Sequence, residues 1–133
     1  MYVTIHAGVD IGYPDPVHCP PKLAAEMLAA VGAEQGDPRV ILAHMGGAQM
    51  PEDVLSHLCD KNVYFDTAYT IDKDEPELMK KIIRSHGADK ILFATDIPWN
   101  SPKNCLSALY DLGLDDKENE LITHTNAEKL LNL

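Results

Sequence analysis

The chain has 133 residues, of which 45% are hydrophobic, and its formal net charge is -10. This length suits one domain with its own hydrophobic core. The acidic balance excludes nucleic-acid backbones and anionic membrane surfaces as partners, because both require clustered Lys and Arg. The apolar runs are too short to span a membrane, and the first residues lack the basic and apolar regions of a signal peptide.

The cysteines point to a reducing environment. Cys19, Cys59 and Cys105 are odd in number and widely spaced, so they form neither a disulfide framework nor a C-x-x-C zinc pair. Free thiols of this kind are typical of the cytoplasm. The sequence therefore predicts a cytoplasmic protein.

Four short β-type runs alternate with helical segments along the chain. The predicted strands cover residues 2–5, 40–43, 63–65 and 91–94. Three of them are almost continuously apolar, which is typical of parallel strands buried on both faces.

Helices are predicted between and after these strands. Pro21, Pro51 and Pro76 each suit the first turn of a helix, a fourth helix covers residues 106–109, and a helical tail covers residues 121–131. On the first helix the predicted inward face is Leu23, Met27, Ala30 and Val31.

This alternation predicts an α/β fold with a parallel sheet, in a single domain over residues 1–133. An open doubly wound sheet and a (β/α)8 barrel both remain compatible with it. No G-x-G-x-x-G follows a strand, so a dinucleotide-binding fold gains no support. Four βα units amount to half of a barrel, which takes roughly 250 residues. The first strand begins at Tyr2 without a lead-in, as in a chain that starts inside a larger fold.

A titratable residue follows each predicted strand, namely His6, His44, Asp66 and Asp96 in chain order. The ligand of a parallel α/β fold lies beyond the carboxyl ends of its strands. Two imidazoles and a carboxylate at that edge are suitable ligands for a divalent metal such as zinc. Singly, each is more often a hydrogen-bonded structural residue or a turn former. Their shared edge, and the glycines after both histidines, favour a functional site.

The strand-end motifs resemble those of the amidohydrolase-related family of metal-dependent TIM-barrel hydrolases and decarboxylases. They are VTIHAG at 3–8, LAHMGG at 42–47, NVYFDT at 62–67 and LFATDIPW at 92–99, followed by NAEKLL at 126–131. The resemblance covers essentially the whole chain. It implies the C-terminal half of that barrel, strands five to eight.

The resemblance also implies roles for particular residues. His6 corresponds to a metal ligand, and Asp96 to a residue that binds the metal or handles the water proton. His44 corresponds to a residue that orients or activates water or substrate. The implied cofactor is a divalent metal, zinc by expectation, which lowers the pKa of bound water to about 7. Trp99 is expected in the pocket wall or, equally, in the core, and His18 contacts substrate or belongs to a Pro-rich structural loop.

The sequence departs from the family pattern because no His-x-His occurs in it, and that motif supplies two metal ligands in relatives. We therefore expect an incomplete site with weak metal retention, since catalytic zinc has three protein ligands. The expected function is metal-dependent hydrolysis of a small carboxylate- or amide-bearing compound. The alternatives are nonoxidative decarboxylation, an inactive fragment and a half-barrel assembly subunit.

A half barrel also has consequences for assembly. Its first strand, at residues 2–6, and its last, at residues 91–95, are expected to expose open edges. The expected partner is a second copy that closes the barrel as a homodimer, or an N-terminal half that is missing here.

Overall fold

The computed structural model describes residues 1–13, 15–36 and 38–133 of the chain. Its sheet has four strands, β1 (Val3–Ile5), β2 (Val40–Leu42), β3 (Tyr64–Asp66) and β4 (Ile91–Leu92). All neighbouring pairs are parallel and the order is β1-β2-β3-β4, which confirms the predicted parallel α/β fold. A doubly wound sheet reverses its strand order at a switch point, and this sheet does not reverse.

The second and fourth strands end before the predicted boundaries. β2 ends at Leu42 because His44 leaves the extended conformation, with a φ of 61°. β4 ends at Leu92, and the N–H of Phe93 donates to the carbonyl oxygen of Ile122, 3.0 Å away. The backbone beyond both strands therefore forms loops.

Six helices cover the sheet within the described residues. They are α1 (Pro21–Ala30), α2 (Pro51–His57), α3 (Pro76–His86), α4 (Pro102–Asp111), α5 (Asp116–Glu120) and α6 (Asn126–Leu131). The first four begin with proline, whose missing N–H costs nothing in a first turn. α5 begins with a capping box, in which the side chains of Asp115 and Glu118 each accept the backbone N–H of the other. A π-helical turn (Leu121–Thr125) joins α5 to α6. None of the described helices is long and apolar enough to cross a membrane.

The predicted inward face of α1 was wrong at Leu23, Ala30 and Val31, which are exposed, whereas Met27 is partly buried against the core, as predicted. Leu23 and Val31 are 48% and 66% exposed, whereas Ala24 and Leu28 are fully buried. The helix carries two apolar stripes of similar spacing, so the pattern alone does not select one. The stripe that contains Ala24 packs inward, where the small side chain permits close approach to the neighbouring layer.

The interior and the edge of the sheet differ sharply in burial. Tyr64, Phe65 and Asp66 of β3 are all buried, and Phe65 belongs to the hydrophobic core that also contains Ile82 and Ile83 of α3. In β1, Val3 is 44% exposed. β1 pairs only with β2 within the described residues, so its outer edge is open, as predicted. At the other side of the sheet, the π-helical turn covers part of the predicted open edge through the hydrogen bond to Phe93.

Candidate active site

A cavity of about 620 Å³ opens at the carboxyl ends of the strands. His6 follows β1, His44 follows β2 and Asp96 follows β4, and all three line this cavity. The described residues that line it are His6, Val9, Asp10, Ile11, Gly12, His44, Ala48, Tyr69, Asp96 and Trp99. The parallel sheet thus brings together three side chains that lie far apart in sequence.

His6 and His44 are hydrogen-bonded to each other, with 2.9 Å between His44 Nε2 and His6 Nδ1. His44 Nδ1 lies 3.0 Å from the carbonyl oxygen of Ala68. Because a carbonyl only accepts, His44 Nδ1 must carry a proton. In the neutral ring Nε2 then accepts, so His6 Nδ1–H is the donor and the lone pair of His6 is on Nε2.

Asp66 lies behind this pair and is only 9% exposed. Its Oδ1 accepts the backbone N–H of His44 at 3.0 Å and that of Ala68 at 3.1 Å. Burial raises the pKa of Asp66 above its usual value, the two N–H donors and the nearby His44 ring oppose this shift, and the Asp96 carboxylate adds to it. Asp66 is therefore a buried acceptor that ties the exit of β2 to the segment after β3.

Three residues that line the cavity have a left-handed backbone. The φ angles of His44, Tyr69 and Asp96 are 61°, 65° and 60°. Such conformations cost about 1–3 kcal/mol each in non-glycine residues and persist where the surroundings enforce them. They concentrate at functional sites, and here they turn the chain at the ends of β2 and β4 and in the loop after β3.

The glycines after the two histidines make room for protein atoms. A Cβ on Gly8, whose φ is 87°, would lie 2.2 Å from the backbone nitrogen of Ala48. A Cβ on Gly46 would lie 2.9 Å from the ring of Phe65. These glycines therefore let the loops after β1 and β2 pack tightly against neighbouring backbone and core.

The remaining sequence-predicted site residues lie in different places. Trp99 is 75% exposed and lines the cavity, so it forms part of the wall and is not in the core. His18 is exposed and does not line the cavity. Sequence reasoning did not select Tyr69, which follows β3 by three residues and has no strand-end signal. Asp66 did carry that signal, since it ends β3.

The donor atoms suit a metal ion only in part. His6 Nε2 and the Asp96 carboxylate are donors of the right chemical type beside one cavity. Among the described residues, no group of three His, Cys, Asp or Glu side chains is arranged to hold a metal. A catalytic zinc takes three protein ligands, so these residues fit part of a metal site and not a whole one.

Solved structures share this fold at low sequence identity. A 2,6-dihydroxybenzoate decarboxylase from Rhizobium superposes with a TM-score of 0.69 and 19% identity, over 98% of this chain and 51% of that one. A dihydroxybenzoic acid decarboxylase from Polaromonas, with bound manganese and the inhibitor 2-nitroresorcinol, superposes with a TM-score of 0.63 and 20% identity, over 85% of this chain and 38% of that one. An amidohydrolase from Burkholderia multivorans with bound zinc superposes with a TM-score of 0.66 and 12% identity, over 85% of this chain and 49% of that one.

The chain spans about half the length of these proteins or less. No curated protein matches its sequence. The family model described as Amidohydrolase matches residues 2–133, almost the whole chain. On the strength of that match, the chain belongs to the amidohydrolase family.

Proposed function

We propose that this chain forms part of the active site of a metal-dependent hydrolase that acts on a small carboxylate- or amide-bearing compound. One observation carries the proposal: the hydrogen-bonded pair of His6 and His44 lines the same cavity as Asp96. Two imidazoles and a carboxylate at the carboxyl edge of a parallel sheet form the type of constellation that metal-assisted hydrolysis requires.

His6 and Asp96 are the residues that would hold the metal in this proposal. His6 would bind through Nε2, which keeps its lone pair because Nδ1–H donates to His44. A metal-bound histidine usually donates its other N–H to a neighbouring acceptor, and this donation fixes the ring. One of the solved structures compared above holds manganese and another holds zinc, and a divalent ion of this kind would supply an activated water at neutral pH.

His44 and Asp96 handle protons in this proposal. His44 Nε2 carries the lone pair of its ring and orients His6, and His44 also lines the cavity. That lone pair can take a proton from a water or substrate only when the His6 N–H no longer donates to it, so His44 orients His6 and accepts a proton at different stages. The Asp96 carboxylate, which also lines the cavity, is the second proton acceptor in this proposal. Trp99 walls the bound compound in this proposal, and His18, on the loop after β1, is a further candidate for substrate contact.

Nonoxidative decarboxylation is the second candidate. Two of the solved structures with this fold are decarboxylases of dihydroxybenzoic acids, which favours a carboxylated aromatic substrate for this chain too. The two reactions differ in their products. Hydrolysis incorporates oxygen from labelled water into the product, whereas decarboxylation releases carbon dioxide and incorporates none.

We further propose that the sheet corresponds to strands five to eight of a (β/α)8 barrel. The sequential strand order and the coverage of about half of each neighbour support this assignment. Additional βα units would then cover β1, and additional metal ligands would come with them. A second copy of this chain, or further residues of a longer protein, would supply these units and ligands. Alone, the chain would be an inactive half-barrel subunit.

Manganese titration of the ¹⁵N-labelled chain tests the proposed site. Paramagnetic Mn²⁺ broadens the NMR signals of nearby residues even when it binds weakly. We expect broadening centred on His6, His44 and Asp96 at low Mn²⁺ occupancy. His6→Ala should abolish it, because the variant removes the proposed nitrogen ligand.

His18→Ala is the matched control, because it removes an exposed histidine that does not line the cavity. Broadening should persist in this variant. Broadening centred on the acidic segments at residues 72–75 or 115–118, or unchanged in His6→Ala, would contradict the proposed site.

A further inference from the structure

Asp66 differs from the other three residues that follow or end the strands. It ends β3, yet it does not line the cavity, and its carboxylate is buried behind His44. One oxygen, Oδ1, accepts the backbone N–H groups of both His44 and Ala68. The function proposed above assigns no role to this residue.

We propose that Asp66 is a positioning residue that fixes the tautomer of His44 and, through His44, determines which nitrogen of His6 keeps its lone pair. The use of that lone pair for metal binding rests on the proposed function. The tautomers themselves rest only on the hydrogen bonds.

Three hydrogen bonds in sequence connect Asp66 to His6. Asp66 Oδ1 holds Ala68 by its N–H, and the carbonyl oxygen of Ala68 accepts from His44 Nδ1 at 3.0 Å. His44 Nε2 is thereby left as an acceptor, and it accepts His6 Nδ1–H at 2.9 Å. His6 Nε2 is therefore left unprotonated, in a residue that lines the cavity.

Asp66 also holds the other end of His44. The backbone of His44 leaves β2 with a φ of 61°, and its N–H donates to Asp66 Oδ1. The same oxygen thus anchors the backbone of His44 and the segment that carries the acceptor of its ring. Loss of that oxygen frees both anchors at once, which removes the constraint on the ring.

Thr67 offers a matched control at the adjacent position. It is fully buried, and its hydroxyl donates to the carbonyl oxygen of Ala94 at 2.8 Å and accepts the Ala94 N–H at 2.9 Å. These bonds tie the end of β3 to the segment after β4, whereas those of Asp66 tie it to the exit of β2. Thr67→Ala therefore removes buried hydrogen bonds without touching His44.

The test is long-range ¹H–¹⁵N NMR of the histidine rings in the metal-free chain, at a pH where both rings are neutral. For the unmodified chain we expect the proton on Nδ1 in both His44 and His6. Asp66→Ala should convert both rings to a mixture of tautomers. Asp66→Asn should keep the original tautomers, because its amide oxygen can replace Oδ1, and Thr67→Ala should keep them too.

Three results would each overturn the proposal. They are an unchanged pair of tautomers in folded Asp66→Ala, a mixture of tautomers in folded Asp66→Asn, and a mixture of tautomers in Thr67→Ala. If Asp66→Ala does not fold, Asp66→Asn decides through the backbone amide protons of His44 and Ala68. Both should shift upfield, because a neutral oxygen is a weaker acceptor, and no shift in either would overturn the proposal. No metal or substrate is needed, so failure here is distinct from failure of manganese binding.

Discussion

The two halves of the candidate site differ in how far the chain itself builds them. The inner half consists of His44, Asp66 and Ala68, all buried at the ends of β2 and β3 in the middle of the sheet. The outer half consists of His6, Asp96 and Trp99, which follow the edge strands β1 and β4, and Trp99 is 75% exposed. Hydrogen bonds to Asp66 and Ala68 fix the inner half, whereas the outer half faces a cavity that is open to solvent.

This contrast follows from the position of the strands. A central strand is covered on both edges and buried by the layers around it, so polar groups at its end must find protein partners. An edge strand has one free edge, and groups at its end face water or a further chain. The chain therefore prepares the part of the site that orients the His6 ring, and leaves the part that would contact metal and substrate open.

The largest expected difference is in how much a central strand, β3, and an edge strand, β1, contribute to the free energy of unfolding. Phe65 of β3 is fully buried and stacks on the His86 ring, with 3.8 Å between centroids. Phe65→Ala should lower the free energy of unfolding by about 3–5 kcal/mol, through lost burial and the cavity left behind. Val3→Ala, at the exposed position on β1, should change it by no more than about 0.5 kcal/mol. Urea unfolding of both variants measures this, and equal losses would contradict the contrast.

A pH titration tests the buried core behind the inner half. Burial lowers the pKa of His86 from 6.5 to about 4. Its Nε2–H donates to the carbonyl oxygen of Val63, and Nδ1 is buried without a hydrogen-bond partner among the described residues. Below pH 6.5 the unfolded chain binds this proton and the folded chain does not. Stability contributed by neutral His86 should therefore be lost as the pH falls from 6.5 to 4, by about 3 kcal/mol.

His86→Gln is the control for this titration. Glutamine can still donate to Val63 but does not titrate, so the part of the pH dependence that His86 causes should disappear. Asp66 acts in the opposite direction, because its raised pKa makes the folded state bind a proton more readily as the pH falls. The comparison of the two chains at each pH cancels that contribution. An identical pH dependence in both would show that His86 binds its proton as readily in the folded chain as in the unfolded one, which would contradict the lowered pKa.

A smaller effect is expected on assembly. The Val3 N–H donates to the backbone carbonyl oxygen of Arg39, which precedes β2. Successive N–H groups of a strand point to opposite edges, so the Thr4 N–H points to the open edge. We expect the chain to associate with a second copy through this edge, and Val3→Lys to weaken the association at least about tenfold, or 1.4 kcal/mol. Val31→Lys, at the exposed position directly after α1, should not weaken the association. Sedimentation velocity measures this, and a stable monomer at every concentration would contradict it.

The order of strands and helices was predictable from the sequence because local signals set it. Pro21, Pro51 and Pro76 correctly indicated the starts of the first three helices, and continuous apolar runs indicate buried parallel strands. The fourth helix was predicted only at residues 106–109, and it begins earlier, at Pro102. The positions of His6, His44 and Asp96 followed from the same strand ends. The inward face of α1 was not predictable, because Leu23 and Ala24 belong to two stripes of similar spacing, and only the packing of the layers selects one.

The connections within the site were not predictable in the same way. His44 is 22 residues from Asp66 and 24 from Ala68, and the bonds between them depend on the register of β2 and β3. Tyr69 reaches the cavity through a left-handed turn, which no local pattern marks. Sequence patterns thus predict which residues reach the edge of the sheet, whereas the fold determines which of them hold one another.

Native-state hydrogen exchange of the isolated chain tests the contrast between the halves most directly, because each amide reports its own hydrogen bond. We expect the amides of His44 and Ala68, which donate to buried Asp66, to exchange at least about 100-fold more slowly than that of Thr4, at a concentration where the chain is monomeric. Thr4 should exchange nearly as fast as in an unstructured peptide. Thr4 reports on the outer half because it lies in β1, the edge strand that His6 follows. Fast exchange at His44 and Ala68, or equal protection at Thr4 in the monomer, would contradict an inner half that this chain builds and an outer half that it leaves open.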